Sequence, residues 1–111
     1  MKIAIYARVS KNDESQDSQN QLNPLRDYAK VLGGDVVDEY VDSASGGSGD
    51  RENFLRMLND ADKRKFNLVL VWALDRLSRE GISNTLGYLE RFKRNGIALK
   101  SLQESWLDTR D

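Results

Sequence analysis

Apolar residues form four strand-like runs along the chain, separated by segments in which the apolar positions recur at a longer period. The run KIAIYARV at residues 2–9 is continuous and contains β-branched residues, which predicts a strand covered on both faces. FNLVLVWAL at residues 66–74 is the strongest run, and we expect its strand to be central in the sheet. DVVDEYVD at residues 35–42 predicts a short, less buried strand, and IALKSLQE at residues 97–104 predicts a fourth.

The segment that follows the first strand predicts a helix over residues 17–34. The adjacent Gly33 and Gly34 are typical of a helix terminus. Pro24 falls inside this segment, where proline removes a hydrogen bond and clashes with the preceding turn. The sequence therefore predicts that the helix either begins near Asn23 or is kinked at the proline.

Two further helices are predicted between the later strands. The second helix follows the glycine-rich stretch SASGGSG with Asp50 as its N-cap, and the third occupies residues 78–96 with Gly96 as its terminator. The residues predicted to face the core in the three helices are Leu22, Leu25, Ala29 and Leu32; Phe54, Leu55, Leu58 and Ala61; and Ile82, Leu86, Leu89 and Phe92.

Strands and helices in strict alternation predict an α/β fold. Successive parallel strands require right-handed crossovers, which place helices on both faces of the sheet. We expect an open, mostly parallel sheet of about four to five strands in a three-layer, Rossmann-like arrangement. The chain ends in SWLDTRD at residues 105–111, a polar stretch without a helical period. Because domains normally cover their last strand, we expect the chain to be a fragment of a longer protein.

The composition narrows the possible chemistry. At 111 residues, with 39% hydrophobic and 32% charged residues, the chain is sized and composed like one soluble globular domain. It contains no cysteine and no histidine, which excludes disulfides, thiolate catalysis, cysteine-ligated zinc and a histidine base. No apolar run approaches the roughly 18 residues of a membrane span. We expect an intracellular, metal-independent protein whose net charge of −1 gives no general attraction to nucleic acid.

Polar side chains follow the first three strands at the edge where open α/β sheets bind ligands, beyond the carboxyl ends of the strands. The side chains placed there are, strand by strand, Arg8 and Ser10; Asp42, Ser43, Ser45 and Arg51; and Asp75, Arg76 and Arg79. The planar guanidinium of arginine matches two phosphate oxygens and keeps its charge at any physiological pH. Four converging arginines would repel one another unless an anion lay among them. The pattern predicts a phosphate site with a serine hydroxyl beside it.

Each of these residues also has an ordinary structural interpretation. Taken alone, Ser10 is more often a turn residue, and Asp75 is more often an N-cap followed by solvated arginines. The glycine-rich stretch lacks the lysine of a P-loop. Independent surface charges would scatter over both ends of the sheet, whereas these converge on one. That convergence favours the functional interpretation.

Four motifs in this order resemble the catalytic domain of the serine recombinases: YARVS at residues 6–10, QLNPLRDYA from Gln21, DSASGGSGDR at residues 42–51 and LDRLSR at residues 74–79. The family includes resolvases, DNA invertases, serine integrases and transposases. The similarity extends from the first residues to about Gln103 and implies a resolvase-like α/β fold.

The resemblance implies site-specific DNA strand exchange without ATP, metal or any other cofactor. Ser10 would attack a DNA phosphodiester to form a 5′-phosphoserine link and release a 3′-hydroxyl. The other residues carried over from the family are the phosphate-binding arginines Arg8, Arg51, Arg76 and Arg79, the motif aspartate Asp75, the motif glutamine Gln21 and the loop serine Ser45.

The resemblance also implies the partners. DNA would be the substrate, bound mainly through a long dimerisation helix and a C-terminal DNA-binding region that residues 1–111 do not include. A homodimer and a synaptic tetramer would form in the full-length protein, without a membrane partner. The expected location is the cytoplasm of a bacterium, with the gene carried by the host, a phage or a mobile element.

Two alternatives remain open. A receiver or flavodoxin-like module would share the sheet, but a receiver requires an acidic cluster after the first strand, where this chain has Arg8 and Ser10. A non-catalytic, DNA-associated or phosphate-binding α/β scaffold would retain the arginines without using the serine. Replacement of Ser10 by alanine separates this scaffold from the enzyme, because only the enzyme loses activity.

Overall fold

The computed structural model describes residues 1–10, 14–44, 52–72 and 82–103, with side-chain detail at residues 1–8, 22–42, 52–72 and 86–103. Strands and helices alternate through these residues. The elements are β1 (Lys2–Ser10), α1 (Glu14–Leu32), β2 (Asp35–Ala44), α2 (Glu52–Asp62), β3 (Leu68–Val71), α3 (Ile82–Arg94) and β4 (Ala98–Ser101). No helix in this part of the chain has both the length and the apolar character needed to cross a membrane.

The four strands form a parallel sheet in the order β2-β1-β3-β4, so β1 and β3 are interior strands. Successive residues of β1 point to opposite faces and enter two separate cores. Ile3 and Ile5 pack with α1 on one face, whereas Ala4 and Tyr6 pack with α2 and α3 on the other. The expected α/β fold with helices on both faces is confirmed, as is the central position of β3.

Helix α1 begins at Glu14 and continues through Pro24, so the first of the two predicted alternatives, a start near Asn23, is wrong. Proline costs the helix one backbone hydrogen bond, but the residues around it are buried against the sheet. Leu22 is 4% exposed and Leu25 is fully buried, and this tertiary packing outweighs the local preference.

A hydrogen-bonded glycine turn ends α1. The N–H of Gly33 donates to Lys30 O at 3.0 Å, and the N–H of Gly34 donates to Ala29 O at 3.2 Å. Gly33 has φ of 73°, the left-handed conformation that glycine adopts without steric cost. The chain then enters β2 directly, where Asp35 N–H donates to Met1 O.

Strand β2 is ten residues long, so the expectation of a short strand is wrong, although its position at the edge of the sheet agrees with lower burial. The strand extends to Ala44 because it remains paired with β1 as far as Ser10. Asp42 and Ser43 therefore lie within β2 and not after it. Arg8 and Ser10 likewise lie within β1.

Two helical residues that were expected to face the core are exposed. Leu55 of α2 is 59% exposed, and its place in the core is taken by Met57. Leu86 of α3 is 55% exposed, whereas Tyr88 and Leu89 pack against the core. In each helix one leucine that fits the apolar spacing is exposed, so the spacing alone overestimates the buried stripe.

Other sequence expectations for these helices are confirmed or remain outside the described residues. Phe54 and Phe92 are each 1% exposed. Gly96 ends α3 with φ of 73°, and its N–H donates to Lys93 O at 3.0 Å. Asp50 and residues 105–111 lie outside the described part of the chain.

Candidate active site

The carboxyl ends of β1 and β2 project beyond β3 at one edge of the sheet. Tyr6 of β1 is paired with Val71, the last residue of β3, and β1 then continues from Ala7 to Ser10. Along this projection β1 remains paired with β2, and its final pair is Ser10 with Ala44. Ser10 is therefore the last residue of an interior strand, at the edge where α/β sheets bind their ligands.

The sequence assigns eight residues to the site. The structure describes the backbone of three of them and the side chain of one. Arg8 lies in β1 and is 3% exposed. The backbone of Ser10 ends β1, and the backbone of Gln21 lies in α1. Five assigned residues fall outside the described part of the chain: Ser45, Arg51, Asp75, Arg76 and Arg79. Their roles remain predictions.

Arg8 is buried beside an acidic residue. Side chains two positions apart on a strand share a face, so Arg8 lies on the face that also carries Tyr6. Asp42 of β2 is the register partner of Arg8, is 5% exposed, and contacts the Tyr6 hydroxyl on this face. Arg8 and Asp42 are therefore paired neighbours in the sheet, and both are almost fully buried.

The sequence placed Asp42 at this edge but gave it no role. Its Oδ2 accepts hydrogen bonds from the Tyr6 hydroxyl at 2.9 Å and from the Phe54 N–H at 2.9 Å. Its Oδ1 accepts a hydrogen bond from the Asn53 N–H at 2.9 Å. An acidic residue near the end of β2, just before the glycine-rich stretch of the sequence, was the available signal.

Further contacts hold α2 against β2 behind the site. Asn53 Nδ2 donates to Val41 O at 2.8 Å, and Arg56 Nη1 donates to Asp38 Oδ2 at 2.9 Å. The Phe54 ring meets the Tyr6 ring edge-on at a centroid distance of 5.2 Å. The start of α2 is thus attached to both β1 and β2 by polar and aromatic contacts.

Helix N-termini often bind anions through their first amide groups. In α2 the amides of Asn53 and Phe54 donate to Asp42 at 2.9 Å. These two amides are therefore occupied within the protein.

The perturbed ionisable groups among the described residues lie away from this edge. Burial, followed by a hydrogen bond to Asp60, raises the pKa of Tyr40. The same hydrogen bond is the main cause that lowers the pKa of Asp60, near the other end of α2. Asp62 and Arg91 form a further pair in which the Arg91 hydrogen bond lowers the pKa of Asp62. These pairs connect elements of the fold.

The chain matches a known domain family over nearly its whole length. Residues 3–111 match the resolvase N-terminal domain. A resolvase of Clostridium perfringens is 33% identical over 104 residues, which cover 94% of this chain and 50% of that protein. The Tn1546 transposon resolvase of Enterococcus faecium is 30% identical over 105 residues, covering 93% of this chain and 48% of that protein. The chain spans about half the length of these curated relatives.

Solved structures show the same fold. The N-terminal catalytic domain of TP901-1 integrase is 38% identical with a TM-score of 0.78, and the match covers 95% of this chain and 79% of that one. A resolvase family site-specific recombinase from Streptococcus pneumoniae is 27% identical with a TM-score of 0.85, covering 98% and 76% of the two chains. The family match, the relatives and the shared fold all indicate the same domain family. This chain belongs to the resolvase family of serine recombinases and is an N-terminal catalytic domain of that family.

Proposed function

We propose that this chain is the catalytic domain of a site-specific DNA recombinase and that Ser10 is its nucleophile. The observation that carries the proposal is the position of Ser10 as the last residue of β1, at the projecting carboxyl edge and two residues beyond the buried Arg8. The similarity to a resolvase, a transposon resolvase and an integrase catalytic domain supports the same reaction class.

In the proposed reaction the Ser10 hydroxyl oxygen attacks the phosphorus of a DNA phosphodiester. A bond forms between Oγ and phosphorus, and the bond to the 3′-oxygen breaks. The serine loses its proton and the 3′-oxygen gains one, which leaves a 5′-phosphoserine and a 3′-hydroxyl. Religation reverses these steps with a new 3′-hydroxyl. The ester retains the energy of the broken bond, so the reaction requires neither ATP nor metal.

The proton transfers fall to arginine, aspartate or water, because the chain contains no histidine and no cysteine. Phosphoryl transfer depends chiefly on positioning and on stabilisation of developing charge. We assign phosphate binding to Arg8, Ser45, Arg51, Arg76 and Arg79, with Asp75 and Gln21 completing the site. Arg8 is 3% exposed, and its charge would act on the phosphate from beneath the strand edge.

Most of the DNA affinity of the complete protein would reside outside residues 1–111. The chain has a net charge of −1, whereas DNA affinity grows with the number of phosphates that cations neutralise. We propose that the complete protein adds a dimerisation helix and a DNA-binding region. It would act on its recombination site as a homodimer that pairs into a synaptic tetramer.

Covalent trapping tests this function. The product of the native gene is incubated with DNA that flanks the gene, nicked so that religation is prevented, and peptide masses locate any protein–DNA adduct. We expect the adduct on Ser10 and none with Ser10→Ala. Ser101→Ala is the matched control, because Ser101 ends β4 in the same sheet but lies two strands from β1. It should form the adduct normally.

Two results would contradict the assignment. An adduct that persists in Ser10→Ala would place the nucleophile elsewhere. If the protein is folded and binds this DNA but forms no adduct, it is a phosphate-binding scaffold and not an enzyme.

A further inference from the structure

All three helices in the described part of the chain end in the same hydrogen-bonded turn, the Schellman motif. In each turn one N–H group donates to the carbonyl three residues back, and the next donates to the carbonyl five residues back. The residue with the shorter bond is left-handed, with φ of 73° at Gly33, 56° at Arg64 and 73° at Gly96. Glycine adopts this conformation without steric cost, but a residue with a side chain does not. Helix α2 therefore has a strained arginine where the other two helices have glycine.

Arg64 is the middle one of three consecutive exposed cations, Lys63, Arg64 and Lys65, which we name the basic turn. The carboxylates next to it are engaged by other groups. Asp62 forms an ion pair with Arg91, and Asp60 pairs with Lys65 at 3.4 Å. Within the described part of the chain, Lys63 and Arg64 form no ion pair. The basic turn is thus a local excess of positive charge in a chain whose net charge is −1.

The backbone of the basic turn is fixed on both sides. Just before it, Asp62 Oδ1 accepts hydrogen bonds from Arg91 Nε at 3.1 Å and from Asn95 Nδ2 at 3.0 Å, which join the ends of α2 and α3. Just after it, the N–H of Asn67 donates to Lys2 O at 2.8 Å, and Asn67 Oδ1 accepts the N–H of Lys2 at 2.9 Å. The turn is therefore attached both to α3 and to the start of β1, and it presents its cations at a defined place.

The basic turn lies at the opposite edge of the sheet from Ser10. It precedes β3, which begins at Leu68, so it is at the amino edge of the parallel strands. Lys2 begins β1 and Ser10 ends it, and eight steps of a strand span about 26 Å. A DNA segment whose phosphate lies at Ser10 is therefore a different segment from one that lies against the basic turn.

The ordinary interpretation of these cations is that they complement the negative end of the α2 dipole. That interpretation accounts for Lys63 and Lys65, but it gives no reason for Arg64. A glycine between two lysines would end the helix without strain and would leave two cations near its end. A side chain that is kept in an unfavourable backbone conformation points to a function of that side chain.

The composition of the turn favours phosphate as its ligand. Lysine is depleted in protein–protein interfaces, and two of the three cations are lysines. Phosphate groups of DNA, in contrast, are neutralised by lysine and arginine alike and without regard to base sequence. We propose that the basic turn binds the phosphate backbone of a second DNA segment, distinct from the segment that is cut at Ser10. The inference goes beyond the proposed function, because it assigns a DNA contact that takes no part in cleavage.

Lysine footprinting locates the contact. The 111-residue chain is acetylated at low salt with and without a DNA duplex of about 20 base pairs and random sequence, and peptide masses give the acetylation rate of each lysine. We expect bound DNA to lower the rate of Lys63 at least about threefold. Lys30 is the internal control, since it is exposed but belongs to α1 on the other face of the sheet, and its rate should not change.

Arg64→Gly separates DNA binding from a structural role, because glycine adopts the left-handed conformation without strain. Its urea midpoint should be no lower than that of its parent. Since the arginines predicted at the carboxyl edge also attract DNA, affinity is measured in a background of Arg76→Gln and Arg79→Gln. Arg64→Gly should weaken binding about 3- to 10-fold at low salt and reduce the slope of log K against log salt by about 0.9.

Lys30→Gln is the matched control for the loss of one positive charge. Lys30 is in the last turn of its own helix, as the basic turn is at the end of α2, but it lies on the opposite face of the sheet. In the same background its affinity should stay within about twofold of the parent, and its salt slope should not change.

Four results would overturn the inference. The chain could bind no DNA at low salt, or Lys63 could remain as reactive with DNA bound as without it. Arg64→Gly could bind as tightly as its parent. Finally, poly-glutamate could protect Lys63 where the duplex does not, which would make the partner an acidic protein. None of these results bears on the Ser10 adduct. A chain that forms the adduct while Lys63 stays reactive retains the proposed function and loses this inference alone.

Discussion

The hydrogen bond between Tyr40 and Asp60 can be removed by a single atom change, Tyr40→Phe. The Tyr40 hydroxyl donates to Asp60 Oδ2 at 2.7 Å and joins β2 to the C-terminal half of α2. Tyr40 is 1% exposed and Asp60 is 9% exposed. Phenylalanine retains the ring, its edge contact with Phe66 at 6.2 Å and the Arg56 guanidinium 4.3 Å above it. The substitution therefore isolates the hydroxyl.

The expected loss follows from the charge of the acceptor. A hydrogen bond to a charged group contributes about 1.5–3 kcal/mol to folding, and more is lost when a buried partner is left unsatisfied. Asp60 retains two weaker partners, Lys65 at 3.4 Å and Arg56 at 4.0 Å, which limit this penalty. We therefore expect Tyr40→Phe to lower the free energy of unfolding by about 2 kcal/mol at pH 7.

The effect should depend on pH in a defined direction. The Tyr40 hydrogen bond is the main cause that lowers the pKa of Asp60 in the folded chain. Its stabilisation is complete above the unfolded pKa of about 3.9 and is lost as the pH falls through the lower folded pKa. The difference between wild type and Tyr40→Phe should therefore shrink below about pH 4, where a neutral carboxyl group accepts a weaker hydrogen bond.

Urea denaturation of the 111-residue chain, followed by circular dichroism at pH 7 and at a series of lower pH values, measures both effects. Asp60→Asn and the double variant complete a cycle that isolates the pair from other changes. The reasoning would be refuted by a loss below about 0.5 kcal/mol at pH 7 or by a loss that does not change with pH.

Three further changes test other parts of the structure. Gly34→Ala places a Cβ against the side chain of Ile3, which is buried in β1, and should lower the free energy of unfolding by about 1–3 kcal/mol in urea denaturation. Gly87→Ala in α3 places a Cβ with nothing within 4 Å and should raise the same free energy by about 0.5–1 kcal/mol. Leu86→Gln should change the free energy of unfolding by less than about 0.5 kcal/mol, since Leu86 is 55% exposed. A larger loss would show that Leu86 packs in the core, as its spacing predicts. Arg79→Lys in the complete protein should slow adduct formation at least about tenfold, because lysine lacks the planar fork, while the exposed control Arg94→Lys should not.

The fold was predictable because apolar runs typical of buried strands alternate regularly along the chain with apolar positions at helical spacing. β1 and β3 are continuous apolar runs, and their successive residues supply opposite cores, as interior strands of a parallel sheet require. The helices between them carry apolar stripes of the helical period. Strict alternation then leaves few possible topologies, and the observed order β2-β1-β3-β4 is one that right-handed crossovers produce.

The sequence predictions were wrong where packing between elements that are distant in the chain selects among structures that the local sequence allows. Helix α1 includes Pro24 because Leu22 and Leu25 are buried on either side of it, a gain that is invisible to a rule about proline alone. Leu55 and Leu86 fit the apolar spacing of their helices but are exposed, and the spacing alone does not state which of its positions the rest of the fold covers. Met57, which the sequence did not assign to the core, is fully buried.

The site was partly predictable for a similar reason. Ser10 and Arg8 were identified because they lie two residues apart at the end of an apolar strand, which is a local pattern. Asp42 was placed at the same edge but was given no role, because its partners are 36 residues before it and 11 or 12 residues after it in the chain. A cap that comes from another element leaves no mark at the usual position just before the helix.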